Sequence, residues 1–400
     1  PALQARWAPP QCRDSPRQCR CCRWRRFRVS APSSLGALVR LFLRLGFAGF
    51  GGPLVHIAIM ETEVVERRRW LSKQEFLDGL ALCQMLPGPA STQLGVLICH
   101  ARGGLRGALI GGAAFILPGF CVMLAFTLLY ERWGALPVLG PVFAGIAPAV
   151  VAVILFSAWR LGRSAVTRAD TAVLCAAGFV LTAWLRFDTA LTLILCGAAA
   201  AVLRRLAAGG ATARVWALPA LVTAAPEVYA RLAWLWIKMG ALVYGGGYVI
   251  IPVVRGEAVQ RFGWMSDRVF LDGLALGQMT PGPIVNLSVF VGYQAGGLLG
   301  SIVAALGVFA PAFAVVLVAV PLMNRFKHLS WMKNFLAGVN ASVVGAIVAA
   351  TIPLARSAVV SPFTVIIGLA SVGILWRFKV DTVWLVLGAG AVGWLWSLAG

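Results

Sequence analysis

Residues 76–89 read FLDGLALCQMLPGP, and residues 270–283 read FLDGLALGQMTPGP. The two stretches lie 194 residues apart and differ at only two positions, where Cys83 corresponds to Gly277 and Leu86 to Thr280. Self-similarity at a fixed spacing is the sign of a duplicated structural unit. The sequence therefore predicts two copies of one unit within this chain.

The similarity extends outward on both sides, with a gap of one residue downstream of the quoted stretch. The further corresponding pairs are Gly51 with Gly245, Gly52 with Gly246, Glu63 with Glu257, Trp70 with Trp264, Gly103 with Gly296, and Pro118 with Pro311. We predict a basic disordered tail at 1–34, a first repeat at 35–208, a linker at 209–228 and a second repeat at 229–400.

The composition places both repeats in a membrane. Of the 400 residues, 60% are hydrophobic and 12% are charged, and the mean hydropathy is +0.85. Soluble proteins are roughly 45–50% apolar and 25% charged. Apolar runs of about 20 residues recur from Leu35 onward, which is the length of a membrane-spanning helix. These features exclude a cytosolic enzyme and predict an all-α polytopic membrane protein with about 10–12 membrane segments.

The net charge of +21 is divided between the tail and the loops. Residues 1–30 hold eight arginines and one acid, and the remaining excess is spread over the loops between apolar runs. Lys and Arg are retained on the cytoplasmic side of membrane proteins. The distribution of loop charges favours an odd number of crossings per repeat, which would invert the second copy relative to the first. Nucleic acid is not predicted as a partner.

Neither a cofactor nor a metal site is predicted. The chain has three histidines, and its nine cysteines fit no zinc spacing well. It carries no HExxH, GxSxG or Walker A sequence, so the enzyme interpretation has no motif in its favour. Without an ATP-binding domain, active transport would have to use an ion gradient or an exchanged ion. A passive channel stays an alternative.

The Pro-Gly-Pro sequences interrupt apolar helices and are expected to mark a binding site. Proline removes a backbone donor and disrupts the preceding turn, so such a break in lipid must line a polar cavity. We expect Pro89 and Pro283 to begin half-helices, with the N–H groups of residues 90–92 and 284–286 free to attract an anion. A second break, rich in glycine, precedes each Pro-Gly-Pro sequence. Four paired breaks near the midplane indicate the substrate site of a transporter.

The candidate substrate-binding residues surround these breaks. They are Gly51, Gly52, Pro53, His56, Gln84, Pro87, Gly88, Pro89, Ser91, Thr92, Gly245, Gly246, Gly247, Gln278, Pro281, Gly282, Pro283 and Asn286. The alternative is that Pro and Gly only kink helices for packing, that the amides and hydroxyls bond between helices, and that His56 is a satisfied core residue.

Four acids are candidates for proton coupling, because an ionisable residue inside a membrane segment is a functional candidate by default. They are Glu63, Asp78, Glu257 and Asp272. The alternative for the aspartates is a structural pair with arginines such as Arg67 or Arg268 at the start of a helix.

These motifs resemble the chromate ion transporter family in its two-domain, long-chain form. The resemblance covers about residues 36–400 and rests on residues 50–56, 63–70, 76–93, 245–247, 270–283 and 292–293. The family implies a bacterial inner-membrane protein that exports chromate, with two homologous halves of opposite orientation. The second half departs from the first, with Gly247-Tyr248 in place of Pro53-Leu54 and Ile284-Val285-Asn286 after its Pro-Gly-Pro sequence. The halves are therefore not equivalent.

The resemblance leads to a hypothesis of mechanism. The chromate dianion would bind between the paired half-helix N-termini, and rocking of the two repeats would move the site across the membrane. Coupling would use proton uptake or exchange for sulfate. A carrier of sulfate or another oxyanion, and a passive anion channel, stay open as alternatives. Membrane lipid is an expected partner, and a homodimer is left open.

Overall fold

The computed structural model describes residues 34–49, 53–86, 88–134, 139–184, 189–207, 228–243, 247–326, 330–378 and 380–399. Within these ranges all regular secondary structure is helical, which confirms the predicted all-α class. The predicted tail, nearly all of the linker, and the candidate residues Gly51, Gly52, Pro87, Gly245 and Gly246 lie outside the described residues.

The first half contains seven helices within its described part. They are α1 (Leu35–Ala48), α2 (Pro53–Glu61), α3 (Lys73–Met85), α4 (Ala90–Trp133), α5 (Leu139–Ala165), α6 (Ala169–Ala183) and α7 (Thr189–Ala207). A π-helical turn, Thr62–Arg67, continues α2.

The second half repeats this order of elements. Its helices are α8 (Val228–Leu242), α9 (Ile250–Arg255), α10 (Asp267–Met279), α11 (Leu287–Phe326), α12 (Ser330–Ala358), α13 (Pro362–Arg377) and α14 (Thr382–Ala399). A 3₁₀ turn, Gly247–Val249, precedes α9, and a π-helical turn, Gly256–Arg261, follows it. A second 3₁₀ turn, Ile284–Asn286, precedes α11.

In the described part of the chain, four stretches of helix are long and apolar enough to cross a membrane: Ala90–Trp133, Leu139–Ala165, Ile284–Val318 and Ala337–Ala358. The apolar helices α6, α7, α13 and α14 are shorter. With 13 residues each, α3 and α10 are about 20 Å long, less than the roughly 30 Å of a hydrocarbon core. The chain is therefore a multi-pass membrane protein that mixes full spans with half-length helices.

Both longest helices reverse direction at a glycine. Gly104 has φ 59° and ψ −151°, and Gly297 has φ 62° and ψ −154°. This region of backbone conformation is essentially restricted to glycine. Each helix is thus divided into a first arm (90–103 in α4, 287–295 in α11) and a second arm (105–133 and 298–326).

Each first arm folds back along the short helix that precedes it. In the first half, the Arg102 guanidinium lies 5.0 Å from the ring centre of Trp70, just before α3 begins. In the second half, the ring of Phe290 packs against Gly273 of α10 and leaves no room for a Cβ there. Each Pro-Gly-Pro sequence is therefore the tip of a hairpin of two half-length helices, which the sequence analysis did not predict.

Serine residues fix where the hairpins start. The Ser72 hydroxyl accepts the N–H of Glu75, and the Glu75 carboxylate accepts the N–H of Ser72 at 2.8 Å, which is a capping box. Ser266 accepts the N–H of Val269 at the start of α10. The half-length helix therefore begins directly after a capping serine in both halves, with the S-x-x-E sequence in the first half and the serine alone in the second.

The first helix of each half runs in the same direction as a second arm. Leu38 packs beside Gly107, and Gly46 packs beside Pro118, so α1 and the second arm of α4 run in the same direction. In the same way α8 follows the second arm of α11. The C-terminal ends of α1 and α8 therefore lie beside Pro118 and Pro311, at corresponding places in the two second arms.

The short helices at the end of each half pack on the other half. Helices α6 and α7 lie along α12, where Gly178 meets the backbone of Ser342. Helices α13 and α14 lie along α5, where Gly393 meets Gly145. This exchange buries apolar surface of both halves in shared clusters.

One ion pair occurs at corresponding positions with its charges exchanged. Arg255 is buried and bonds both oxygens of Asp267 at 2.7 and 2.8 Å. The corresponding residues of the first half are Glu61 and Lys73, whose charged atoms are 3.6 Å apart. Each pair ties the π-helical turn to the start of the hairpin.

We expect Arg255→Glu to destabilise the protein by about 2–3 kcal/mol, because it leaves two carboxylates facing each other at a largely buried position. Arg255→Glu/Asp267→Lys should regain most of the stability, because it reproduces the pair of the first half. The thermal unfolding midpoint in detergent measures both effects. A double variant no more stable than the single variant would contradict this role of the pair.

Candidate functional site

The two hairpin tips are joined to the opposite halves by a reciprocal pair of backbone hydrogen bonds. The N–H of Gly88 donates to the carbonyl of Val243 at 2.6 Å, and the N–H of Gly282 donates to the carbonyl of Gly49 at 3.1 Å. Both donors and both acceptors correspond with the same spacing of 194. Such reciprocity is typical of a twofold-related contact. Each tip therefore meets the end of the first helix of the other half.

Both tips depend on glycine. Gly88 has φ 127° and Gly282 has φ 120°, which L-residues rarely adopt. A side-chain amide folds over each glycine, from Gln93 in the first half and from Asn286 in the second. The Asn286 amide also donates to the carbonyl of Pro281 at 3.2 Å. The one-residue gap in the alignment of the two halves thus falls directly after the tip, and Asn286 corresponds to Gln93.

The helices after the tips begin differently. Pro89 is the N-cap of α4, so the N–H groups of residues 90–92 have no acceptor within their own helix. After Pro283 the chain forms a 3₁₀ turn, in which the N–H of Asn286 donates to the carbonyl of Pro283 at 3.0 Å. The prediction of a free N–H at Asn286 is therefore wrong, because the tighter turn uses that donor.

Buried polar atoms without partners are concentrated beside both tips. Among the described residues, hydrogen-bond partners are lacking for Ser91 Oγ, Thr92 Oγ1, Asn286 Oδ1 and Ser288 Oγ. An unpaired buried polar group costs about 1–3 kcal/mol, and such groups are rare in folded proteins. These atoms lie at the start of α4 and around the start of α11, one group beside each tip.

His56 lies at the first break. Its side chain is only 2% exposed, packs against Gly49, and stands edge-on to the Phe115 ring with centroids 5.0 Å apart. The Gly49 backbone is also a hydrogen-bond partner of the ring. His56 therefore stays a candidate site residue, with the core residue as the alternative.

Other candidate residues have different surroundings. Pro53 begins α2, and Gly247 packs against Ile284 of the second tip. Gln84 is exposed, unlike its half-buried counterpart Gln278. The two glutamines thus do not form a symmetric pair of site residues.

The two candidate glutamates occupy corresponding π-helical turns and are each held by two cations. Glu63 is bonded by Arg67 at 2.6 Å and lies 3.5 Å from Arg68. Glu257 contacts Lys238 at 2.6 Å and Arg261 at 3.2 Å. Isolated π-helical turns are frequent at functional sites. In both turns, however, the carboxylate charge is already balanced.

The two candidate aspartates differ. Asp272 is 5% exposed, accepts the Tyr130 hydroxyl at 2.8 Å, and lies 3.7 Å from the Arg268 guanidinium. Asp78 is half-buried and accepts the Gln74 amide at 2.9 Å. Tyr130 comes from α4 of the first half, so the Asp272 contact joins the two halves. Sequence analysis missed Tyr130 because it is 142 residues from its partner and belongs to no local motif.

Comparison with known proteins agrees with the repeat and the membrane setting. The family model described as "Chromate transporter" matches residues 36–202 and again residues 230–394. "Chromate transport protein" from Pseudomonas aeruginosa is 35% identical, with 92% of this chain and 94% of the relative covered. Its namesake from Cupriavidus metallidurans is 32% identical, covering 91% and 94%. "Probable chromate transport protein" from Synechococcus elongatus is 31% identical, covering 86% and 90%. No solved structure gives a match.

We expect Gly282→Ala to destabilise the protein by about 1–3 kcal/mol, because alanine is strained at this φ and its Cβ would meet the Asn286 amide. Gly277→Ala is the matched control, since this helical glycine has open space around it. It should be neutral or slightly stabilising. Thermal unfolding in detergent compares the two, and equal effects would contradict a glycine-dependent tip.

Proposed function

This chain belongs to the chromate transporter family, and we propose that it is a secondary transporter that exports chromate across the bacterial inner membrane. Its relatives are named as transport proteins, which supports a carrier rather than an enzyme. The observation that carries the proposal is the group of unpaired buried polar atoms at two hairpin tips that are bonded across the halves.

The chemistry of the tips suits a tetrahedral oxyanion. Such a dianion accepts hydrogen bonds and donates none, so its site must offer donors. Ser91 and Thr92 supply hydroxyls beside the free N–H groups at the start of α4, and Ser288 supplies a hydroxyl near the second tip. The positive end of the α4 dipole adds a favourable field for an anion.

In this transporter the two halves have opposite orientations, which the packing directions support. Along the second arm of α4, Gly119 lies beside the second tip and Tyr130 beside the middle of the hairpin that leads to it. The first hairpin instead opens near Arg102, where that arm begins. The hairpins thus enter from opposite ends of one helix. Rocking of one half against the other would expose the bound anion to each side in turn.

A sulfate or other oxyanion carrier is the second candidate. Sulfate has the same shape and charge as chromate, and the hydroxyl and N–H donors at the tips fit both ions. A passive anion channel is the third, and it differs in that its flux does not saturate or exchange. Transport assays with both ions decide among the three.

Asp272 is the acid best suited to proton coupling. Glu63 and Glu257 each have two cations within 3.5 Å, whereas Asp272 has one cation, at 3.7 Å. Its Oδ1 lacks a hydrogen-bond partner among the described residues. Because its Oδ2 accepts the Tyr130 hydroxyl of the other half, a change of protonation acts on a contact between the halves. Asp78 accepts the Gln74 amide of its own helix, and the residue that corresponds to Tyr130 is Met323, which has no hydroxyl.

Proteoliposomes of the full chain should take up chromate with saturable kinetics, and excess sulfate should define its selectivity. We expect Thr92→Val to raise KM about tenfold, because it removes a donor at the tip without changing side-chain shape. Thr127→Val is the control, since that buried hydroxyl bonds the carbonyl of Met123. Absence of chromate uptake by correctly inserted protein would refute the substrate. Voltage-driven flux without saturation would favour the channel.

We expect Asp272→Asn to abolish chromate transport driven by a pH gradient while anion exchange continues, because a permanently neutral side chain cannot carry the proton. Tyr130→Phe should weaken the dependence on the gradient, and Asp78→Asn should leave it intact. Uptake with and without an imposed pH gradient measures the difference. Gradient-driven uptake by Asp272→Asn at the wild-type rate would exclude this residue as the coupling acid.

A further inference from the structure

A second cavity, separate from the hairpin tips, lies where elements of both halves meet. It has a volume of about 1030 Å³ and is enclosed by the ends of α6 and α7, by α9 with its π-helical turn, and by the C-terminal part of α12. None of the tip residues described above lines it. The polar lining comes from Thr182, Thr189, Arg255, Gln260, Arg261 and Arg356, together with the acid Glu257.

The charges of this cavity leave a positive excess at its open side. Glu257 is balanced by Lys238 and Arg261, and Arg255 is balanced by Asp267. Arg356 is exposed and has no ion pair among the described residues. Among the described charges that line the cavity, Arg356 is therefore the cation that no carboxylate balances.

Hydroxyl groups from the first half face the same space. Thr189 is 7% exposed and begins α7, and Thr182 lies near the end of α6. A threonine hydroxyl and an arginine guanidinium that line one cavity are both donors from which an oxyanion accepts hydrogen bonds.

The corresponding positions of the first half carry more acids and fewer arginines. Arg255 is replaced by Glu61 and Gln260 by Glu66, while Glu63 matches Glu257. Three acids and two arginines thus stand where the second half has one acid and three arginines. Arg163, which corresponds to Arg356, lies over the Trp159 ring at 5.2 Å from its centre. Structural stability alone does not require this difference in residues, because ion pairs hold the π-helical turn in place in both halves.

We propose that this cavity is a second binding site for a tetrahedral oxyanion from solution, held by Arg356 and Arg261 with the hydroxyl of Thr189. The inference rests on the proposed function, because the transported anion is the ligand that this chemistry fits. The positive cavity captures the anion ahead of the tips. The protein therefore binds oxyanion at two sites of different strength.

The test is equilibrium binding of labelled sulfate and chromate to the full chain in nanodiscs of zwitterionic lipid. We expect two classes of site in the wild type. Arg356→Gln should remove one class and raise the transport KM about tenfold with the maximal rate unchanged. Gln260→Glu, which introduces the acid of the first half, should do the same. Thr92→Val should weaken the other class only.

Arg163→Gln is the matched control, since it removes the corresponding exposed arginine and should leave both classes and KM unchanged. Wild-type binding and KM in both Arg356→Gln and Gln260→Glu would overturn the site, and so would an effect of Arg163→Gln as large as that of Arg356→Gln. The site would also be overturned if the wild type bound oxyanion at one class of site only and retained an anionic lipid that Arg356→Gln lost. If the second site is overturned while oxyanion still binds at the tips, the proposed transport function stands. If the wild type binds no oxyanion at all, the second site and the proposed function both fail.

Discussion

The need to satisfy backbone groups away from water governs this structure. Where an apolar helix is interrupted, its free N–H and carbonyl groups cannot turn to solvent and must find partners within the protein. Here the tip of each hairpin donates to the end of the first helix of the opposite half, at Val243 and at Gly49. The packing of the short helices of each half on the other half also holds the two halves together. The breaks that would weaken each half alone thus hold the two halves together.

A common framework carries two different sets of side chains. The glycines at the tips, the π-helical turns and the direction reversals of α4 and α11 occur in both halves. Asp272 meets a tyrosine while Asp78 does not, and Arg255–Asp267 reverses the charges of Glu61–Lys73. Backbone geometry is therefore shared, and the chemical difference between the two ends lies in a few side chains.

The sequence predicted the features that depend on local composition and on repetition. The helical class, the duplication and the positions of the Pro-Gly-Pro breaks follow from apolar runs and from spacing. It did not predict that the broken segments fold back as hairpins, because the contact of Phe290 with Gly273 is visible only once both helices are packed. Nor did it pair Asn286 with Gln93, since the one-residue gap has no signal in the residues around it. Tyr130 was missed for the same reason: its partner, Asp272, comes from the other half.

The reciprocal bonds at the tips also bear on how such a protein could have arisen. A single copy of the unit would leave the N–H of its tip glycine and the last carbonyl of its first helix without the partners that the other copy now supplies. An ancestral chain of half this length would have been compelled to assemble as a pair of identical subunits. Joining the two genes then freed each copy to diverge, so that the ion pair could be Glu61–Lys73 in one copy and Arg255–Asp267 in the other without a mutation appearing in both places at once.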